Sequence, residues 1–376
     1  MAANNYDAAV IGLGAMGAGA VWQLAQRGLS VVGFDALRPP HDMGSSHGRS
    51  RIIREAYFEG AVYVPLVQRA YELWRQLEAA QRESILAICG GVTIGEPSSP
   101  LVAGARDAAR EHGVAVEEWS SADISTRIPA IRPGAGMVGV FEPRAGVLSP
   151  ERGVHAMLAE AATHGADLRF NSPVTAVEPG RTAVTLESAA GTVIARQVVC
   201  AAGGWLPGLL PDLALPLTVE RAVQHWFQRT DNDRFAPARF PIFLLETPDD
   251  RVLYGLPDQG HGLKLAEHHG GRVSPQGDVD RRVDAAEAKQ FRAFAQAYLP
   301  TLPEGPVESS VCTYTNTPDG HFILHCHPAH ANVFVVSACS GHGFKFAPAI
   351  GELVADTLTG RPRRVETDAF RIDRFA

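Results

Sequence analysis

The chain has 376 residues, 45% of them hydrophobic and 20% charged, with a formal net charge of -7 and an isoelectric point near 6.1. That length suits one large domain or two interleaved ones with a substantial core, and the acidic balance argues against nucleic acid or an anionic membrane surface as the main partner, though not against a small anion held by local cations. Five cysteines without metal-ligand spacing fit a reducing compartment better than a disulfide framework; no run approaches the ~20 apolar residues of a membrane span, Met1 to Asp7 leaves no room for a signal peptide, Arg374-Phe375-Ala376 is no peroxisomal address, and a cytoplasmic protein is expected.

Ala8 to Ile11 is a short apolar run that ends in Gly12-Leu13-Gly14-Ala15-Met16-Gly17. Ala18 to Gln26 has helix-forming composition and stops at Gly28, and Ser30 to Phe34 is a second apolar run closed by Asp35. The pattern predicts strand, glycine turn, helix, strand and acid. Each part suits a dinucleotide. Gly12 permits the tight turn, Gly14 lets a pyrophosphate approach the backbone, and Gly17 lets the helix pack on the strand. The helix N-terminus favours phosphate and Asp35 accepts hydrogen bonds from a ribose. FAD and NAD both satisfy this fingerprint.

Next comes Gly44-Ser45-Ser46-His47-Gly48-Arg49-Ser50-Arg51-Ile52-Ile53-Arg54. Its glycines and serines suit phosphate and ribose, and three of its residues are arginine in an otherwise acidic chain. Ile52-Ile53 argues for partial burial. Arg51 and Arg54 would share a face if the segment turned helically. Ala61 to Ala80 reads as a long amphipathic helix.

Near residue 150 a second unit begins: a helix from Pro150 to Thr163, then short strands at Asp167–Phe170, Ser172–Val177, Ala183–Leu186 and Val193–Cys200. The last enters a second glycine turn, Gly203-Gly204, which opposes a nicotinamide-dependent reductase. From Leu217 to Leu265 the pattern is strand-like, and Asp284 to Leu299 is helical. An apolar strand from Val333 to Ser337 runs into Ser340-Gly341-His342-Gly343, and a helix follows from about Pro348 to Leu358. His325-Cys326-His327 suggests a metal, but alternation along a strand turns Cys326 away from the two histidines, so no metal site is expected. The nucleotide-type units occupy 1–80, 146–215 and 311–376, and a substrate domain is expected from 81–145 and 216–310.

Three segments in order carry a resemblance: residues 44–54, Cys312-Thr313-Tyr314-Thr315-Asn316-Thr317-Pro318-Asp319-Gly320-His321-Phe322, and Ser340-Gly341-His342-Gly343-Phe344-Lys345. With the fingerprint, the chain resembles the monomeric sarcosine oxidase, N-methyltryptophan oxidase and pipecolate oxidase family of FAD-dependent amine oxidases. Gly320 departs from it, since a charged residue is common there in the relatives. The resemblance implies an α/β fold: a Rossmann-like FAD domain, with a second, mostly antiparallel sheet roofing the flavin, as in glutathione reductase and D-amino-acid oxidase. It implies oxidation of a small secondary amino acid to an imine, with molecular oxygen reduced to peroxide, by a monomer. A dehydrogenase with another acceptor, the nicotinamide reductase and a non-catalytic flavin-binding module are the alternatives.

By that resemblance Cys312 carries FAD through a thioether, a reaction suited to a thiolate. The other cysteines read as small buried hydrophobes. Arg54 and Lys345 clamp the substrate carboxylate, fork and point charge together. Lys264, in Gly262-Leu263-Lys264-Leu265, promotes the reaction with oxygen. His268 resembles an active-site histidine, although His269 beside it competes for the role. Alternation puts Lys264, Ala266 and His268 on one strand face. Arg51 and His47 lie near the flavin ring, Tyr254 and Tyr314 wall the substrate pocket, and Val174 meets the adenine. Ser45, Ser46, Gly203, Gly341, Gly343 and again Lys345 complete the cofactor contacts.

Overall fold

The computed structural model describes residues 4–228 and 233–375. Asn4–Ile11 lies at the heart of an eight-stranded sheet. It runs parallel to Val31–Phe34 on one side and to Gly191–Cys200 on the other. Ala8, Ala9 and Val10 are fully buried, as a central parallel strand covered on both faces requires. The sheet continues through Asp167–Arg169 at one edge. At the other side Gly191–Cys200 serves two partners: its first half pairs antiparallel with Val184–Ser188, its last three residues parallel with His330–Ser337. That fork brings the glycine turns after Ile11, Cys200 and Ser337 to one edge of the sheet. Ligands of open α/β sheets bind at this carboxyl edge.

The helix Ala15–Gln26 packs against both Pro150–Thr163 and Ala347–Leu358. Its contact with the last of these is backbone to backbone. A Cβ on Gly19 would collide with the carbonyl of Ala347, and one on Gly351 with the carbonyl of Gly19. The helix that starts at the first glycine turn therefore lies directly on the helix that follows Lys345. Trp74, fully buried, stacks on Phe344 and donates its indole N–H to the Lys345 carbonyl at 2.9 Å.

The second eight-stranded sheet runs Pro306–Asn316, Thr218–Phe227, Leu263–His268, Val252–Leu256, Ile242–Glu246, Gly91–Gly95, Val138–Glu142, Glu117–Ser120. All pairs are antiparallel except Ile242–Glu246 with Gly91–Gly95. A small third sheet joins Arg51–Ile53, Gly146–Leu148 and Leu86–Ile88. No helix among the described residues is long and apolar enough to cross a membrane.

The observed elements bear on three of these points. Residues 61–80 form a 3-10 turn, Ala61–Tyr63, before the helix Val64–Gln81. The expected boundary between 310 and 311 falls inside the strand Pro306–Asn316, which is hydrogen-bonded into the second sheet from Pro306 to Asn316. The basic segment is not helical: Arg51–Ile53 is a strand, held there by backbone pairing with Gly146–Leu148. The sequence reading also assigned no elements to 81–145, where the helices Pro100–His112 and Ser121–Arg127 lie.

Candidate active site

A cavity of about 490 Å³ lies between the carboxyl edge of the first sheet and the face of the second. One wall is the fingerprint. Gly12 takes φ +86, and a Cβ there would sit 2.6 Å from the carbonyl of Ala201. A Cβ on Gly17 would strike the Gly12 carbonyl, so the helix can approach the strand only without one. Ser46 Oγ accepts the Ala15 N–H at 3.0 Å and holds the basic loop against the helix start. Both Asp35 oxygens already accept backbone amides, Leu13 N at 2.8 Å and Leu37 N at 2.9 Å. Val174 and Gly203, at φ +55, complete this end of the wall.

The basic loop crosses the middle. Ser45 Oγ donates to the carbonyl of Thr313 at 2.6 Å. Arg51 donates to the carbonyls of Ser45 and Ser50, both at 2.9 Å, and reaches Cys312 Sγ at 3.4 Å. Cys312 stands behind Arg51 rather than on the cavity wall, whereas Cys339 does line the cavity. Cys339 Sγ accepts the Thr315 N–H, and burial raises its pKa. Lys264, 2% exposed, donates to the carbonyls of Gly48 (2.8 Å) and Ser50 (2.9 Å). Burial, then Arg51, pushes its pKa well below the usual lysine range. His47 is pushed down to about 4 by the same two causes, and its Nε2 has no partner among the described residues.

The far end gathers the groups that resemble a substrate site. Lys345 Nζ donates to the Tyr57 hydroxyl at 3.1 Å and to the His342 carbonyl at 2.6 Å. His342 Nε2 faces the Gly320 carbonyl at 3.1 Å, which assigns the proton to Nε2; Nδ1 then accepts from Tyr57 at 2.8 Å. Burial lowers Lys345 to about 7, with Glu59 opposing and Arg54 assisting. Gly341, at φ +76, lies against His268: a Cβ there would come within 2.9 Å of its ring. A Cβ on Gly343 would strike the Ala338 carbonyl. Tyr254 and Tyr314 line the cavity with their side chains hydrogen-bonded to each other, and both rings meet His268 edge-on. His268 faces the cavity; His269 takes φ +66 and turns to Glu220 at 3.0 Å. Burial, then His269, holds His268 well below the usual histidine range.

The sequence reading missed Glu59. Its carboxylate lines the cavity 2.6 Å from Arg54 Nη2. Burial alone would raise its pKa, but Arg54, His342 and Lys345 hold it down at about 2. Arg54 also stacks over Tyr57 and Phe58. An acid five residues from an arginine was the available signal.

The wall fits a large polar cofactor. Gln224 Oε1, Thr315 Oγ1 and Ser337 Oγ are buried on it with no hydrogen-bond partner among the described residues, and buried polar atoms are otherwise rarely left unpaired. The helix end at Gly14 has no side-chain cap from Gly14 itself and points amides at the same space. A second cluster, Asp212, His327 and His330, lies outside the cavity. There the Ala329 N–H donates to His327 Nδ1 at 3.1 Å, leaving the proton on Nε2, which Asp212 takes at 2.9 Å. No lone pair of His327 is left for a metal.

A family model described as FAD dependent oxidoreductase matches residues 7–357. The chain belongs to that family. It is 40% identical over 361 residues to monomeric sarcosine oxidase of Streptomyces avermitilis, covering 94% of each chain. It is 36% identical to N-methyl-L-tryptophan oxidase of Yersinia pestis, covering 99% of this chain and 100% of the relative. In fold it is similar to the open form of NikD, an unusual amino acid oxidase, with a TM-score of 0.85 over 98% of this chain and 97% of that one. At 22% identity that likeness speaks for the fold alone. The FAD-dependent oxidoreductase is therefore an α/β protein with a cavity between its two large sheets.

Proposed function

We propose that this oxidoreductase oxidises the CH–NH bond of a small secondary amino acid, N-methyl or cyclic, such as sarcosine, to an imine, with oxygen reduced to hydrogen peroxide. The observation that carries the reading is Glu59: a carboxylate of the protein's own already stands in the cavity, held by Arg54 and influenced by Lys345 and His342. A substrate carboxylate meets the same cations, fork and point charge together. The two oxidase relatives, acting on N-methyl amino acids by name, support the same substrate class.

FAD, bound at Gly12, Gly14, Gly17, Asp35, Ser45, Ser46, Val174, Gly203, Gly341 and Gly343, would accept the hydride and pass electrons to oxygen. Arg54 and Lys345 fix the carboxylate, which limits where the amine-bearing carbon can lie. Substrate entry requires Glu59 to yield the Arg54 fork. Tyr254, Tyr314 and His268 wall the amine end, and neutral His268 is able to accept a proton from it. Arg51 and His47, both on the basic loop, would place positive charge and a hydrogen-bonding ring near the flavin ring. Lys264 donates two N–H groups to carbonyls, and because burial lowers its pKa an arriving anion favours its charged form. Cys312 is the attachment residue. The residues at 1–80, 146–215 and 311–376 serve the cofactor, those at 81–145 and 216–310 the substrate, and the strand Pro306–Asn316 bridges the two. The chain acts as a monomer, as the Streptomyces relative is named, and in the cytoplasm.

The test is a peroxide assay over a panel of secondary amino acids, run on wild type and Arg54→Met. Wild type should form peroxide with at least one N-methyl or cyclic amino acid, and the variant should lose it through KM. Turnover with an artificial acceptor but not with oxygen would favour a dehydrogenase. No flavin bleaching by any secondary amino acid under anaerobic conditions would overturn the reading.

A further inference from the structure

We infer that Glu142, a residue off the cavity wall, is the positioning residue of the carboxylate clamp, fixing the backbone from which Arg54, Tyr57 and Glu59 project. The inference rests on the proposed role of Arg54 in binding the substrate carboxylate. Glu142 ends the strand Val138–Glu142 in the second sheet and is 3% exposed. Both its oxygens accept the Glu55 N–H at 2.9 Å, and Oε2 also accepts the Ala56 N–H at 2.8 Å. Ala56 is gripped at its carbonyl as well, because Arg54 Nη1 donates to that oxygen at 2.8 Å. One carboxylate thus fixes two consecutive amides and, through one of those residues, the guanidinium itself.

This is a demanding way to hold a loop. A buried carboxylate is unfavourable unless charge-assisted hydrogen bonds satisfy it. A second one lies beside it: Glu55, 2% exposed, held by Gln68 at 3.0 Å and Arg144 at 3.2 Å. Burial pushes Glu142 up to about 7, with the two amides opposing and Glu55 adding to the rise. The placement nevertheless suits a clamp that must exchange one carboxylate for another. When Glu59 yields Arg54, the side chains move while the amides at 55 and 56 stay fixed, and the fork keeps its aim. Glu151 grips the same loop upstream, accepting the Gly48 and Arg49 N–H groups at 2.7 and 3.0 Å. The loop is therefore pinned on both sides of Arg51, and Glu142 is the pin next to Arg54.

The experiment uses holoenzyme and acetate as the probe, followed by calorimetric titration and by steady-state kinetics with the best substrate of the panel. Glu142→Gln keeps the shape but removes the charge and one of the two acceptors, turning an NH2 toward the Glu55 N–H. It should weaken acetate and raise KM roughly 10–100-fold, the scale of a misplaced binding group, with kcat within about threefold of wild type. Unchanged acetate affinity and KM in folded Glu142→Gln, alongside their loss in Arg54→Met, would overturn the inference and leave the clamp standing. Unchanged values in Arg54→Met would remove the clamp itself. If Glu142→Gln does not fold, hydrogen exchange on the wild type decides. The amides of Glu55 and Ala56 should be protected with and without acetate, and exchange as fast as exposed loop amides would overturn the inference.

Discussion

Glu59→Gln separates the stability of the empty site from its affinity for a ligand. Glu59 pairs with Arg54 at 2.6 Å, with side chains 14% and 4% exposed. Its carboxyl titrates at about 2 instead of the usual 4.5, because Arg54, His342 and Lys345 outweigh burial. At 1.36 kcal/mol per pH unit this depression corresponds to about 3 kcal/mol in favour of the folded, ionised form. The sign follows: a depressed folded pKa gives stability that is present above 4.5 and lost as the pH falls toward 2. Near neutral pH the glutamine variant should therefore be less stable by about 2 kcal/mol, since an amide oxygen still accepts one hydrogen bond from Arg54. The same competitor opposes a substrate carboxylate. Without it, acetate should bind on the order of 10–100-fold more tightly. Calorimetric titration with acetate and thermal unfolding at neutral pH and near pH 3 measure both sides, and the stability gap should narrow at the lower pH. Weaker or unchanged acetate binding in a destabilised Glu59→Gln would show that Glu59 does not compete for Arg54.

Lys345 loses its proton near pH 7, so acetate affinity should be level below that and fall about tenfold per pH unit above it. Lys345→Met should abolish the slope, and a slope that survives assigns it to another group. Cys312→Ser should release its FAD on acid precipitation, while wild type and Cys339→Ser keep a yellow pellet; free flavin from wild type refutes the attachment. Lys264→Met should still bleach with substrate anaerobically but reoxidise about two orders of magnitude more slowly, for an effect of ~3 kcal/mol. Stopped-flow absorbance reads both halves, and reoxidation as fast as wild type makes Lys264 structural. Trp74→Ala removes a buried ring that also holds the Lys345 carbonyl; a stability loss of ~3–5 kcal/mol is expected by thermal unfolding, and a loss under ~1 kcal/mol would place Trp74 outside the core.

What the sequence made legible is local. The glycine turn at Gly12 to Gly17 is readable because each glycine answers a steric demand within its own strand, turn and helix. Lys264 and His268 are readable as a pair because strand alternation alone puts them on one face. His268 against His269 was not decidable that way: the strand ends there, and His269 leaves the alternation through a left-handed φ. The non-local features stayed hidden. Glu142 reaches Glu55 across 87 positions, and Gly91–Gly95 pairs in parallel with Ile242–Glu246, separations over which no periodicity carries information. Arg51–Ile53 looked able to turn helically, yet pairing with Gly146–Leu148 overrides the local preference. Pro100–His112 went unread although Ser99 caps it and proline opens it.

Buried cations are how an acidic protein would keep the proposed receptor for an anion. Among Arg51, Arg54, Lys264 and Lys345, only Arg54 is ion-paired by the protein among the described residues, and its partner is Glu59. Arginine cannot shed its proton, so it needs that standing carboxylate or a set of carbonyls, and Arg51 takes the carbonyls. Lysine and histidine have another way out. Burial lowers Lys264, Lys345, His47 and His268, so the empty site carries less positive charge than its composition suggests. The carbonyls of Gly48 and Ser50 take two N–H groups of Lys264, and Tyr57 with the His342 carbonyl takes two of Lys345. The third N–H of the charged form is left for an arriving anion, and a nearby anion favours that form. In the proposed reaction, Lys345, whose pKa burial lowers to about 7, would gain its charge together with the substrate carboxylate it binds.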